Sequence, residues 1–362
     1  MRSRFRGGEA MDLTAQAAVL VGTGRPLRLM TLEIPALKPG QVLVEVAYSG
    51  VCGSQLNEVS GRLDPDPYLP HTLGHEGSGT VAAVGDGVRK VKPGDRVVLS
   101  WIKGRGAEVT ATVYGGPDGP VNSGAIGTFM TRTVTCESRV TAIPGEMPLR
   151  EAALLGCAIA TGGGIVRNIA RLRPGWSVAV FGVGGIGGSA VAVAAMVGAS
   201  PIVAVDIAKH KLKHARDLGA THTVNADSRD PLQAVAEITG GVGVDLSIEA
   251  AGRPEVMETA FRAVREGGGL CVLAGNLAVG ERITIDPFDL IKGKKLVGTW
   301  GGETEPDRDI PAYAHLFLEG KLPLSRLITH EYDLRDANTA LDDLRRGRVG
   351  RAVIAMGPPP SE

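Results

Sequence analysis

The chain changes its hydrophobic rhythm near residue 150. From about Ala15 to Pro148, apolar side chains recur with a period of two in short runs. Gln41–Tyr48, QVLVEVAY, alternates as a half-buried strand does. Gly79–Val84, Arg96–Ser100 and Thr131–Thr135 predict further strands, divided by Pro-Gly and glycine-rich punctuation. The polar, aperiodic segment from Gly104 to Gly127 reads as loop.

Beyond Arg150 the alternation gives way to βα repetition. Glu151–Ala170 reads as a helix broken at Gly162-Gly163-Gly164. Six short apolar strands are predicted over Ser177–Phe181, Ile202–Val205, His222–Asn225, Val244–Glu249, Gly269–Ala274 and Lys295–Thr299. Helices over Ile186–Val197, Lys209–Leu218, Pro231–Thr239 and Pro254–Val264 separate them. This is the order of an α/β fold with a doubly wound parallel sheet, preceded by a mostly-β region. A helix over Leu334–Arg346 and a strand over Ala352–Met356 complete the pattern. No internal repeat or low-complexity tract interrupts it.

Pro174 to Val205 carries no charged residue, a run longer than the ~20 residues a membrane helix needs. Its glycine-dense middle and its Val and Ala content predict instead a buried strand, a tight turn and a packed helix. With 362 residues, two domains are expected. Lys plus Arg and Asp plus Glu both number 39, so no net positive field draws nucleic acid. Four cysteines are too few for a disulfide framework, which points to a reducing compartment, the cytoplasm. Met1–Ala10 has three arginines without a signal-peptide core and reads as a leader outside the fold or a start-site artefact.

The chemistry begins at Gly182-Val183-Gly184-Gly185-Ile186-Gly187, which lies between a predicted strand and a predicted helix. In such a turn Gly182 permits the tight bend, Gly184 lets the backbone approach a pyrophosphate, and Gly187 allows close helix–strand packing. Gly185 and Ile186 open the helix, whose N-terminus faces the phosphates. Asp206, 19 residues after Gly187, ends the next strand; there it would bind ribose hydroxyls and repel a 2′-phosphate, favouring NAD over NADP. The basic run Lys209–Lys213 beyond it, with His210 and His214, reads as the solvated face of a helix.

Three further segments, Cys52-Gly53-Ser54, Gly74-His75-Glu76 and Gly156-Cys157, supply the thiol and imidazole donors that zinc selects. Taken singly, each of these residues could be packing or loop. His71 stands four residues before His75, but Pro70 and Gly74 argue for a loop, so it is not taken as a ligand. Cys136 and Cys271 read as packing residues.

Together these segments resemble the zinc-containing medium-chain alcohol dehydrogenases, over essentially all of Ala15 to Met356. The resemblance rests on Gly74-His75-Glu76-Gly77-Ser78-Gly79 with Gly85 and Val88, on Val91–Val97, and on Gly156-Cys157 with Thr161-Gly162. Asp309-Ile310-Pro311, Gly320-Lys321-Leu322 and Leu327-Ile328-Thr329 extend it to the C-terminal part. It implies a GroES-like catalytic domain over residues 11–158 and 300–362, and a Rossmann NAD-binding domain over 159–299. It implies one catalytic zinc held by Cys52, His75 and Cys157, with Glu76 as an exchangeable ligand. It further implies Ser54 at the head of a proton relay, Thr161 near the nicotinamide and Arg351 on the pyrophosphate. The partner would be a small alcohol or carbonyl, and the assembly a homodimer or homotetramer joined near Lys295–Thr299. No membrane or nucleic-acid partner is implied.

The chain departs from that family at three places. Gln55 and Asn57 stand where an aspartate and a relay histidine are usual. No cysteine cluster for a structural zinc occurs between Trp101 and Phe129. That region is polar instead, with Lys103, Arg105, Tyr114, Asn122 and Ser123, and if it borders the cleft it predicts a polyol, sugar or amino-alcohol substrate. A zinc-free enone or quinone reductase and an NAD-binding protein without turnover are the alternative readings.

Overall fold

A computed structural model of the protein describes residues 13–62 and 66–357; the leader reading of Met1–Ala10 falls outside them. Among the described residues the strands form three sheets. Strands Thr14–Leu20, Arg28–Glu33, Val113–Gly116, Gly119–Asn122 and His71–Thr72 close a small barrel. A seven-stranded sheet is built around Gln41–Val51, which pairs with Glu76–Val84 on one side. On its other side the same strand pairs first with Arg132–Cys136 and then with the C-terminal Ala352–Ala355. The final strand is thereby carried back into the N-terminal sheet, bringing Arg351 with it.

The third sheet has six parallel strands in the order His222–Asn225, Ile202–Asp206, Val178–Phe181, Leu246–Glu249, Leu270–Leu273 and Lys295–Gly298. All six agree with the sequence-based expectation to within two residues. The charge-free run is the predicted strand, turn and buried helix, Gly185–Val197. Among the described residues, no single helix is long and apolar enough to cross a membrane. The basic run lies on helix Lys209–Asp217, which buries Leu212 and Ala215 and exposes Lys209, His210 and Lys213.

Two expectations are corrected. The supposed loop Gly104–Gly127 contains the hairpin Val113–Gly116/Gly119–Asn122, closed around Pro117-Asp118. Its strands of four residues are too short and too rich in glycine to show a period of two. The helix expected to break at the glycine triplet runs straight through it as Ala158–Gly164 and continues in a π-helical turn, Ile165–Ile169. The break falls earlier, at Cys157 (φ −146°, ψ −66°), where the path bends by 57°.

The triplet serves packing instead. A Cβ at Gly162 would overlap the Ile186 carbonyl oxygen and lie 2.8 Å from Ser189 Cβ. At Gly163 it would lie 2.6 Å from the Tyr313 hydroxyl, and at Gly164 it would overlap the Gly302 carbonyl. The helix therefore sits directly on the cofactor-side helix and on the segment after the last parallel strand. Helix propensity alone would make Gly162→Ala stabilising by ~1 kcal/mol. The backbone overlap reverses the sign: a loss of about 1–3 kcal/mol is expected, read as a lower urea midpoint.

Candidate active site

Cys52 precedes helix Gly53–Ser60, and its N–H donates to the Gln55 side-chain oxygen at 2.6 Å, a reach-back from the first turn. His75 follows Gly74, whose φ of 91° and whose contact with the Phe129 amide, 2.8 Å from a would-be Cβ, leave no room for a side chain. Glu76 opens strand Glu76–Val84. Cys157 sits at the helix bend. These four residues, from three separate segments of the chain, bring their donor atoms within 4.8 Å of one another.

The donor set suits zinc. Two thiols and an imidazole are its preferred ligands, and bonds of about 2.0–2.3 Å place tetrahedral donors at this mutual spacing. The hydrogen bond from Cys157 holds the Cys52 thiol well below the usual thiol range, with His75 and Arg351 adding to the pull against burial. The same bond, together with burial, pushes Cys157 up. One of the two thiols is thus already disposed to be a thiolate, and a bound cation would deprotonate both. The Glu76 carboxylate faces the cluster but is already engaged. One oxygen is ion-paired with Arg351, and the other accepts the Ala158 N–H at 3.3 Å.

Around the cluster, Ser54 Oγ lies 3.5 Å from both ring nitrogens of His75. Gln55 is fully buried, and its Nε2 is 3.5 Å from His75 Nδ1. With its oxygen on the Cys52 amide, Gln55 fixes the ligand loop more firmly than it orients the imidazole. His71 is not a ligand: its ring nitrogens go to Asp66 and to the Thr72 carbonyl, each at 2.9 Å. Cys136 and Cys271 are buried, as expected.

The glycine turn adjoins this cluster through Arg351. A Cβ on Gly185 would lie 3.1 Å from Arg351 Nη1, so the guanidinium spans the gap from Glu76 to the turn. Its Nε is buried without a partner among the described residues, and space beside Gly184 is open to 4 Å. An unmet cationic donor beside an open backbone cradle fits a pyrophosphate. Gly182 has φ 84°, and a Cβ on Gly187 would overlap the Gly182 carbonyl, which matches their predicted packing roles. Asp206 accepts the N–H groups of Val183 and Ala208, both at 2.9 Å, and is held at the C-terminal edge of the sheet. Thr161 is buried one turn beyond Cys157, against Gly302.

A cleft of 390 Å³ opens onto His75 and Gly74. Trp101 and Ser123 line it, as the sequence suggested. Lys103, Arg105 and Tyr114 do not. Lys103 is paired with Glu108 in solvent, and the Arg105 N–H donates to Asp307. Tyr114 is buried in the barrel core, its hydroxyl accepting the Val134 N–H at 2.8 Å. Asn122 uses its amide to hold the Tyr68 carbonyl at 2.8 Å. The polar lining comes instead from residues the sequence did not single out, Glu58 and Asp66 above all. Glu58 stands one turn after Ser54 on the same helix face, a spacing that could have marked it.

A second cavity, of 710 Å³, lies at the opposite, N-terminal ends of the parallel strands. Three ion pairs involve its charged residues: Arg265 with Asp245 at 2.7 Å, Lys294 with Asp289 at 3.2 Å, and Glu266 with Lys292 at 2.6 Å.

Comparisons with known proteins agree with this geometry. Residues 38–145 match the alcohol dehydrogenase GroES-like domain, and residues 185–319 match the zinc-binding dehydrogenase family. The chain is 34% identical to the S-(hydroxymethyl)glutathione dehydrogenase of Synechocystis sp., over 94% of this chain and all of that protein. Among solved structures, benzyl alcohol dehydrogenase from Acinetobacter calcoaceticus superposes with a TM-score of 0.86 at 30% identity, covering 95% of this chain and 100% of that one. An alcohol dehydrogenase zinc-binding domain protein from Burkholderia ambifaria gives 0.88 at 31% identity, covering 95% and 99%. The chain belongs to the zinc-dependent medium-chain alcohol dehydrogenase family.

Proposed function

We propose that the protein oxidises a small polar alcohol, or reduces its carbonyl, with NAD(H) as the hydride carrier. The observation that carries this reading is the Cys52, His75, Glu76 and Cys157 cluster at the foot of the cleft and beside the dinucleotide turn. Cys52, His75 and Cys157 would hold one zinc. Zinc there supplies Lewis-acid polarisation of a hydroxyl, and a nicotinamide supplies the hydride acceptor.

The chain's own residues position and deprotonate the substrate. Ser54, beside His75, is placed to take the hydroxyl proton. Asn57 cannot titrate, so that proton leaves through water or the cofactor ribose rather than through a side chain at position 57. Glu76, ion-paired with Arg351, would lie beside a bound zinc with its charge already neutralised. Arg351 also faces the turn and would bind the pyrophosphate. Asp206 would bind the adenosine ribose and exclude a 2′-phosphate, selecting NAD over NADP.

Residues 11–158 and 300–362 would form the catalytic domain and 159–299 the cofactor domain. The pairing of Ala352–Ala355 with Gln41–Val51 supports that division. Strand Lys295–Gly298 ends the parallel sheet with an open edge, near exposed Phe288, Ile291, Val297 and Trp300. We assign this edge to a homodimer or a tetramer built from it. All four cysteines are free, and two must be thiolates for zinc, which suits the cytoplasm.

The substrate in the name of the Synechocystis relative, a glutathione adduct, does not transfer readily. Glutathione carries two carboxylates, whereas the cleft lining contains Glu58 and Asp66 and no lysine or arginine.

Three measurements test these assignments. Zinc analysis of the purified protein should give about one atom per subunit, falling close to zero in Cys52→Ala; two tightly bound zincs would refute the single-site reading. The ratio of kcat/KM for NAD over NADP should fall by about 10-fold or more in Asp206→Ala, as a charge-assisted hydrogen bond is lost; a wild type that uses NADP as well as NAD would remove the role. Light scattering should show a dimer or tetramer, and a monomer at micromolar concentration would sink the edge-strand assignment.

A further inference from the structure

The cleft has a charge character that the zinc site alone does not require. Its lining includes Glu58, Asp66 and the aromatic residues Trp101 and Tyr68 but, among the described residues, no lysine or arginine. The nearest arginines in sequence, Arg25 and Arg62, are exposed. Asp66 is hydrogen-bonded to His71 Nε2 at 2.9 Å. Glu58 is not: among the described residues its carboxylate accepts no hydrogen bond and makes no ion pair. It projects from the same face of helix Gly53–Ser60 as Ser54, which touches His75. Trp101 borders both the cleft and the metal cluster, and Trp300 lies edge-on to it at 6.0 Å.

A withdrawn carboxylate without a partner carries a desolvation cost that a ligand can relieve. Burial does push the Glu58 carboxyl above the usual range, while His75 and His71 pull the other way. An aromatic wall beside such a carboxylate is the environment that favours an organic cation: the ring face and the charge attract it together. An anion would meet the opposite field. A neutral alcohol would leave Glu58 unpaired.

We propose that Glu58 is a specificity-determining residue that selects alcohols bearing a protonated amine, so that the enzyme's substrate class is the amino alcohols. The hydroxyl would sit at His75 and Ser54, and the ammonium between Glu58 and the Trp101 ring. This rests on the dehydrogenase reading above and narrows the polar substrates to cationic ones.

The test compares three probes of similar size on the zinc-loaded enzyme with NAD: 3-amino-1-propanol, its neutral isostere 1-butanol, and 3-hydroxypropanoate. The wild type should prefer the amine over the isostere by about 10-fold or more in kcat/KM, a margin set by one desolvated charge pair, and the anion should be the poorest. In Glu58→Gln, which keeps the shape and removes the charge, the amine-to-isostere ratio should fall to within about threefold of unity. Calorimetric titration of 3-amino-1-propanol into the enzyme–NADH complex should show the same loss of affinity, a readout that needs no turnover. A wild type without charge preference, or one whose preference survives in Glu58→Gln, overturns the proposal. Turnover of 1-butanol bears separately on the dehydrogenase reading: its presence with a flat charge ratio refutes the role of Glu58 alone.

Discussion

The buried ion pair between Glu76 and Arg351 is the constraint on which the site depends. Its two residues are 275 positions apart: Glu76 opens strand Glu76–Val84, and Arg351 immediately precedes the C-terminal strand Ala352–Ala355. Glu76 is fully buried and Arg351 nearly so, hence neither charge is tolerable alone. Breaking such a pair by removing one partner costs about 3–5 kcal/mol, chiefly because the other charge is stranded. Arg351 also donates to the Val51 carbonyl at 2.9 Å, one residue before the first metal ligand, and its guanidinium lies against Gly185. The return of the chain's last strand into the N-terminal sheet thus joins three functions: it holds the Cys52 loop, neutralises Glu76, and places a cation at the phosphate turn.

Much of this was legible in the sequence where local physics and tertiary demand agree. The four inner parallel strands are mostly buried and bounded by turn residues, so their apolar runs mark them, and the two edge strands follow from the βα alternation. The zinc donors and the glycine turn were readable because their chemistry restricts which residue types can serve. The glycine triplet shows where agreement fails. Its local meaning is a helix breaker, but Gly162 to Gly164 are helical because neighbouring backbone sits where side chains would be. The hairpin at Val113–Asn122 was hidden for the opposite reason: barrel closure stabilises strands that have little intrinsic preference for extension.

The cleft was the least legible part. The sequence placed polarity in the stretch after Trp101, yet Lys103 pairs with Glu108 in solvent, Arg105 is exposed, and Tyr114 turns into the barrel. Which polar residues face a cavity depends on how the barrel, the helix after Cys52 and the strand at His71 meet. No single period records that meeting. Glu58 was overlooked beside Asn57, although its spacing from Ser54 holds on any helix.

Gln55 and Glu58 have a joint electrostatic meaning. Two thiolates would balance a bound divalent cation, Arg351 balances Glu76, and Asp66 is hydrogen-bonded to His71. A carboxylate at position 55 would place one more negative charge close to the metal; the amide there adds none and spends its oxygen on the Cys52 backbone. Among the described cleft carboxylates, the one without a hydrogen-bonding partner is then Glu58, one helical turn from Ser54. In a partly desolvated cleft, a single charge acts on the substrate with little screening by solvent ions. The neutral residue beside the metal cluster and the charged residue at the cleft wall therefore divide the labour: one adds no further negative charge beside a bound cation, while the other gives the cleft its sign.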